Sequence, residues 1–463
     1  MRGAFPVNKI AWKNDMILLQ KLYIVVLNSI YKITNKIPNK IRHGIIYLTA
    51  AALMSIYLIL DAYAYLGISM TRTNKTILGC FLLLIIIAMS INGNLHMVIW
   101  EKKITILWFG SGICMLVISL FHPIGEGLRA TILAMLFGFP CLYFVWHNRN
   151  DYSTLYKLIA RAFSHVFLIY FTLCFIFVPM GEQTLQNGRY LATTFNPNAL
   201  GMFCGVAMFT ALYLISEKDK WFGIYFFQIA SAIGFAILSG ARATMLVIIL
   251  ELIAFFIYYG RHMIRNSIEK KASILILIVL ILTLLFSASY IPKHMMKDTV
   301  KAEEEVNEQQ KPTVQSPVNR FNPEGKNLNE ISSGRLTVWK AYLHSLNFIG
   351  HNGNKPLYYS GTKKMWAHNT VLEIAYRCGI IPGILFLILE IYSAIYMLSC
   401  LFRGEYVSWK LFSILGVGLF CIYSILEVVI FPFEHSPMFV FFIAIMPMFK
   451  KEQKKELRNY KEI

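Results

Sequence analysis

Acidic side chains are scarce in this sequence: 25 Asp and Glu stand against 44 Lys and Arg in 463 residues, and charged residues of both signs reach only 15%. A soluble domain carries roughly 25% charged and 45–50% apolar residues. A chain that is 57% hydrophobic is therefore read as a polytopic membrane protein. Cysteine is sparse too. Cys80, Cys114, Cys141, Cys174, Cys204, Cys378, Cys400 and Cys421 lie mostly inside apolar runs, with no pair at metal-ligand spacing, which leaves them as buried thiols. Also missing are a glycine-rich phosphate loop, a DxD-like acidic pair, an internal repeat and an aromatic-basic nucleic-acid module. No metal, no cofactor and no nucleic-acid partner is expected. The net charge of +19 has another source, since basic residues gather at the cytoplasmic ends of membrane spans. The first apolar-rich segment, Met16 to Ile33, is broken by Lys21, Asn28 and Lys32 and lacks a small-residue cleavage site. It reads as an interfacial amphipathic helix rather than a cleaved signal peptide.

What is present is long apolar runs. A span needs about 20 residues to cross about 30 Å of hydrocarbon. Hydropathy places about 12 of them, near 44–66, 76–92, 104–121, 130–147, 162–180, 196–216, 221–239, 243–260, 272–290, 380–402, 411–430 and 434–449. The expected fold is all-α, a transmembrane helix bundle. Residues 1–43 form a basic amphipathic cytoplasmic segment, 44–290 hold nine spans, 291–379 form a long extracytoplasmic loop, 380–449 hold three more spans and 450–463 form a basic cytoplasmic tail. The basic residues set the orientation. With the N-terminus inside, 27 Lys and Arg fall in inner segments, only Arg72, Lys75, Arg129, Arg189 and Arg242 in short outer ones, and 12 in the long loop that the positive-inside rule exempts. Within that loop 301–329 is rich in Glu, Gln, Asn, Pro and Lys, too polar to offset chain entropy by burial, so it is expected to be mobile and holds no cysteine to staple it. From Ile331 the character changes. Leu336, Val338, Trp339, Tyr342, Leu343 and Leu346 recur at helical spacing, as do Trp366 and Val371 to Tyr376, which predicts short helices over the outer mouth of the bundle.

The orientation gathers Arg189, Arg242, Arg335 and His368 on the outer side. An arginine at a membrane boundary either snorkels to headgroups or pairs with an anion, and its planar fork matches phosphate oxygens. Histidine as a residue type can take a proton from a hydroxyl near neutral pH, and His368 stands immediately before the chain re-enters the membrane; the alternative is a hydrogen-bonded structural ring. His351, in Gly350-His351-Asn352-Gly353, is a weaker candidate of the same kind. Glu373 and Arg377 are four apart, which an ordinary helical ion pair explains. Glu390 and Glu427 lie within apolar segments, where a carboxyl group is costly and therefore either functional, neutral or paired.

These residues sit in a larger pattern. Asn196-Pro197-Asn198-Ala199-Leu200-Gly201 opens a span, Ser239-Gly240-Ala241-Arg242-Ala243 forms a turn, and Gly334-Arg335-Leu336-Thr337-Val338-Trp339 lies in the long loop. Ala367-His368-Asn369 is then followed by Gly379-Ile380-Ile381-Pro382-Gly383. In order and spacing this resembles the O-antigen ligase and polymerase superfamily, over roughly Arg189 to Met448. The 301–329 tract stands out as an insertion, and Arg377-Cys378 occupies a place where a more acidic or polar lead into Gly379 is expected. The resemblance implies a fold like that of the membrane-embedded C-type glycosyltransferases. It also implies a donor glycan on undecaprenyl pyrophosphate gripped by Arg242, Arg335 and Arg189, with His368 as base for the acceptor hydroxyl on a lipid- or sugar-linked acceptor. A polysaccharide assembly complex is the implied company. The competing readings are a transporter or flippase of lipid-linked sugars, which would show paired helix breaks in two halves, and a non-catalytic scaffold subunit.

Overall fold

The computed structural model describes residues 9–61, 71–181, 184–262, 334–352, 357–359, 363–403 and 406–451, with isolated positions between 278 and 290 and at 332. Helices α1 (Lys9–Thr34), α2 (Asn39–Asp61), α3 (Arg72–Ser90) and α4 (Lys102–Ile118) come first. α5 (Glu126–Leu133) runs through a π-helical turn, Ala134–Gly138, into α6 (Phe139–Arg149), and α7 (Tyr152–Phe177) follows. A small hairpin of β1 (Leu185–Gln186) and β2 (Arg189–Tyr190) precedes α8 (Pro197–Ser216), α9 (Phe222–Ser239) and α10 (Arg242–Phe255). After the long insertion come α11 (Arg335–His344), a second hairpin of β3 (Leu357–Tyr359) and β4 (Lys363–Met365), and α12 (Thr370–Cys378). α13 (Ile380–Arg403), α14 (Ser408–Leu426) and α15 (Ser436–Ala444) follow.

Among the described residues eight helical runs are long and apolar enough to cross a membrane, those carried by α2, α3, α5 with α6, α7, α8, α10, α13 and α14. The expected spans near 104–121, 221–239 and 434–449 correspond to shorter apolar helices: α4 with 17 residues, Gly223–Ser239 within α9, and Ser436–Phe449. The span expected near 272–290 lies largely outside the described residues, as do the 301–329 tract and residues 452–463. Among the described residues the bundle departs from an all-α chain in two hairpins and one isolated antiparallel bridge, Trp100 with Lys450. In the first, Asn187 and Gly188 both have positive φ and form the two-residue turn whose twist matches paired strands. The apolar spacing read from Ile331 onward becomes α11 and α12, with Leu346 and Trp366 outside both. The Arg377 guanidinium lies over the Trp366 ring, 5.2 Å from its centroid.

The middle of the bundle is α8, buried along almost its whole length apart from the half-buried Asn198 and Met202, the behaviour of a helix with no polar face to turn to solvent. Two of its glycines set how close its neighbours come. A Cβ at Gly201 would run into Thr244 and Ala241, and one at Gly205 into the Tyr423 ring, so the small residues let α10 and α14 pack against the α8 backbone. Tyr423 Oη then ties the three helices together, 3.0 Å from Thr244 Oγ1 and 3.1 Å from the Gly201 carbonyl. Elsewhere aromatic pairs lock helices in register. Tyr156 of α7 stacks on Phe412 of α14 at 4.0 Å, and Trp108 of α4 meets the Phe442 ring of α15 edge-on at 4.7 Å; each such pair adds about 0.5–1.5 kcal/mol beyond its buried area. The result is a rigid seat for the ends of α8, α10 and α14.

Candidate active site

Four short segments converge on one end of this seat, each placed by its own local chemistry. Asn196 caps α8 by accepting the Ala199 N–H at 2.8 Å, and Pro197 fills the first helical turn, so Asn198 is held in that turn. Gly240, at φ 55°, closes α9 in the left-handed conformation that glycine adopts without a Cβ penalty. The chain restarts at once as α10 with Arg242 in its first turn. Arg335 likewise opens α11. Asn369 caps α12 through Oδ1, which accepts the Leu372 N–H at 2.9 Å, while its Nδ2 donates to the Ile425 carbonyl at 3.2 Å. Thr370 Oγ1 donates to the Glu427 carbonyl and accepts the Val429 N–H, both at 3.0 Å. These bonds pin the start of α12 to the end of α14.

His368 is caught between two such anchors. Its φ of 47° lies in the left-handed region, which costs a non-glycine residue about 1–3 kcal/mol and persists only where the surroundings fix it. On the C-terminal side the fixing comes from Asn369 and Thr370. On the N-terminal side Glu373 Oε2 accepts the Ala367 N–H at 3.1 Å, and Glu373 is itself held by Arg377 Nε at 2.6 Å from Oε1.

Arg242, Arg335, His368 and Glu427 line one cavity of about 610 Å³, with Leu246, Leu336, Trp339 and Leu426 on its apolar wall. Glu427, the first residue past α14, joins the others. Its Oε1 accepts from Arg335 Nη2 at 2.7 Å and from Asn198 Nδ2 at 2.9 Å, and its Oε2 lies 3.2 Å from His368 Nδ1. A carboxylate can only accept, so this contact assigns the proton of the neutral ring to Nδ1 and leaves the lone pair on Nε2. The carboxylate is 11% exposed and the imidazole 40%, so the ring is the more accessible of the two. Arg242 and Arg335 lie close enough for their charges to repel, an arrangement that an anion between them relieves.

Three of the four residues singled out in the sequence thus share the cavity. Arg189 does not line it. Its guanidinium stands one layer behind, donating to the Ser239 carbonyl at 2.7 Å and to Asn198 Oδ1 at 2.6 Å, and Asn198 in turn donates to Glu427 Oε1. His351 is stacked on Tyr376 at 4.1 Å, with Nδ1 2.9 Å from the Tyr376 carbonyl, which is the loop-imidazole alternative. Glu373 and Arg377 do form the i,i+4 pair, but it is buried and its second oxygen serves the backbone ahead of His368. Glu390 accepts from Ser424 Oγ at 2.9 Å and is not among the residues lining the cavity. Burial pushes the Cys378 thiol up to about 12, as befits a packed sulfur. The Glu427 connections were not read from the sequence, and Asn198 and Trp339, whose buried Nε1 has no partner among the described residues, entered it only as members of a motif and of a helical spacing. No group of three or more His, Cys, Asp and Glu among the described residues could hold a metal ion.

Together these features define a multi-pass α-helical membrane protein with an imidazole–carboxylate pair and two guanidinium groups facing one cavity at one end. Residues 227–388 match the O-antigen ligase family, and that stretch carries Arg242, Arg335 and His368. The match supports the resemblance of that stretch to the O-antigen ligase and polymerase superfamily; Arg189 and Glu427 lie outside it. No curated protein matches the chain.

Proposed function

We propose that this protein moves a glycan from an undecaprenyl-pyrophosphate donor to an acceptor hydroxyl at the outer face of a bacterial cytoplasmic membrane, as a ligase or a polymerase. The observation that carries the reading is the Glu427–His368 pair beside Arg242 and Arg335 in a single cavity. In the step envisaged, His368 Nε2 takes the proton of the acceptor hydroxyl. The acceptor oxygen bonds to the anomeric carbon as the bond from that carbon to the phosphate oxygen breaks, and the electron pair departs on the pyrophosphate. Glu427 holds the ring in the tautomer that leaves Nε2 open and stabilises the imidazolium as it forms. Arg242 and Arg335 receive the charge that builds on the leaving group, and Trp339 Nε1 offers a further donor on the same wall. Arg189 acts through Asn198 and Glu427 rather than on the donor itself. Glu373 and Arg377 hold the Ala367–His368 peptide.

The guanidinium pair supplies the electrostatic role that a divalent cation serves in other transferases, so turnover is expected to survive EDTA. The purified protein in detergent, given lipid-linked donor and acceptor, should form the glycosidic product in chelator without any sealed membrane. Product that forms only across a sealed bilayer would instead mark a transporter, and loss in EDTA restored by magnesium would reveal a metal site.

The reading also fixes the orientation: the cavity faces outward and both termini face the cytoplasm. Cysteine introduced at Gln186, near the cavity end, should react with an impermeant thiol reagent on intact cells, and cysteine at Lys220 should stay unlabelled until the cells are opened. The reverse pattern would place the cavity in the cytoplasm and exclude an outer-face transferase.

A further inference from the structure

The opposite end of the bundle carries a second polar cavity. From Glu126 to Arg149 the chain is continuously helical through α5, the π turn and α6; at 1.5 Å per residue this is a path of roughly 35 Å away from the region of Glu427. There the last turn of α6, with His147 and Asn148, lies beside the extended segment that links α3 to α4. The segment is stitched on three sides. Gln20 of α1 makes a two-way pair with the Val98 backbone at 2.8 and 2.9 Å, the His96 N–H donates to Asn148 Oδ1 at 2.7 Å, and Glu101 N–H and Lys451 N–H bond to the Phe449 and Ile99 carbonyls at 2.8 and 3.0 Å. Between these pieces lies a cavity of about 250 Å³ to which His147, Asn148, Lys450 and Lys451 contribute.

The polar lining is one-sided in chemistry. None of the described residues that line the cavity is acidic; Glu101 is bonded beside it but is not among the lining. His147 is 2% exposed; its Nδ1 lies 2.8 Å from the Tyr152 hydroxyl, and its Nε2 is buried without a partner among the described residues. With the Tyr152 hydroxyl donating to Nδ1, the neutral ring carries its proton on Nε2, a donor in want of an acceptor. Lys450 Nζ gives one of its three hydrogens to Asn150 Oδ1 at 2.9 Å, and Lys451 adds a second ammonium. Alongside, α1 turns an apolar stripe outward: Leu18, Leu22, Val25, Val26 and Ile33 are exposed while Gln20, Tyr23 and Leu27 are buried against the bundle. An exposed apolar stripe on a helix that fastens the cavity wall places the cavity at the depth of a lipid headgroup.

We propose that this cavity is a phosphate site that takes the headgroup of an anionic phospholipid, with the acyl chains lying against the outer stripe of α1. The phosphate oxygens accept from Lys450, Lys451 and His147, and the site anchors this end of the bundle independently of the reaction at the other end.

The full-length protein in nanodiscs of phosphatidylcholine with phosphatidylglycerol, gently extracted and weighed by native mass spectrometry, should retain phosphatidylglycerol preferentially. Lys450→Gln with Lys451→Gln should lower that retention roughly tenfold or more, because each ammonium close to an anionic headgroup strengthens binding about severalfold and the two effects multiply. Lys218→Gln with Lys220→Gln removes the same charge from the exposed connection between α8 and α9, away from the cavity and from α1, and should change it little. Equal loss in both double variants would reduce the effect to overall basicity and overturn the proposal, as would retention insensitive to the first pair. Inorganic phosphate supplies the remaining arm: if it displaces phosphatidylglycerol at low millimolar concentration and stabilises lipid-free protein equally well, the ligand is free phosphate and the lipid assignment fails.

Discussion

His368→Ala is expected to lower turnover by roughly 100-fold to 10,000-fold, the contribution of a positioned general base, while donor binding stays nearly intact. The ring touches the reaction only at the moment a proton moves, so its loss should appear in kcat and hardly in the KM for donor. Glu427→Gln separates the two parts that the carboxylate plays. Its Oε2 faces His368 Nδ1 and its Oε1 faces Arg335. An amide cannot stabilise the imidazolium as a carboxylate does, so turnover should fall. It also no longer neutralises Arg335, so the cavity gains a unit of positive charge and donor binding should hold or tighten. Opposite signs on kcat and donor affinity are the mark of this arrangement. Near-normal turnover of His368→Ala in a purified assay would make the ring structural, and an equal loss of binding and turnover in Glu427→Gln would make the carboxylate a fold-holding group only.

The helices and three of the cavity residues were legible in the sequence for a physical reason: hydropathy and the positive-inside rule are properties of single residues counted along the chain. Arg242 and His368 stand at chain reversals, where a boundary charge is conspicuous. Glu427 was not singled out in that way, because Glu390 and Glu427 are both lone carboxyls in apolar runs. What distinguishes Glu427 is that it meets Asn198, Arg335 and His368 from 229, 92 and 59 residues away, information that exists only once α8, α11 and α12 are packed around α14. The span expected near 411–430 enclosed Glu427, whereas α14 ends at Leu426, so the carboxyl lies just past the helix end, a boundary that hydropathy averaged over. Arg189 illustrates the converse. Its side of the membrane could be counted, but the hairpin that turns its guanidinium toward Ser239 and Asn198, behind the cavity, rests on an Asn187–Gly188 turn. Glu373 and Arg377 show a third limit. Spacing of four predicts a pair equally on a wet or a dry face, and only packing shows that this one is dry and holds the peptide ahead of His368.

Arg335→Ala should weaken donor binding and turnover together, and by more than the loss of one cation. A charge-assisted hydrogen bond contributes about 1.5–3 kcal/mol, or roughly 10-fold to 150-fold in affinity, and that much follows from removing the fork that faces the pyrophosphate. The second part follows from Glu427, whose Oε1 is 2.7 Å from Arg335 Nη2. Without the guanidinium, this mostly buried carboxylate is left without its cationic partner and turns its charge on an anionic donor, the costly half of breaking an ion pair. Arg335→Lys should restore only part of the affinity, because a single ammonium can answer Glu427 or the pyrophosphate but lacks the fork that serves both. The decisive comparison is the double variant Arg335→Ala with Glu427→Gln. Removing the carboxylate as well takes away the repulsion, so the double variant should bind donor more tightly than Arg335→Ala alone, with a coupling of about 0.5–3 kcal/mol as for residues in direct contact. Donor binding in the double variant equal to the sum of the two single effects would mean that Arg335 meets the donor without Glu427 between them, and the shared role of the pair would fall.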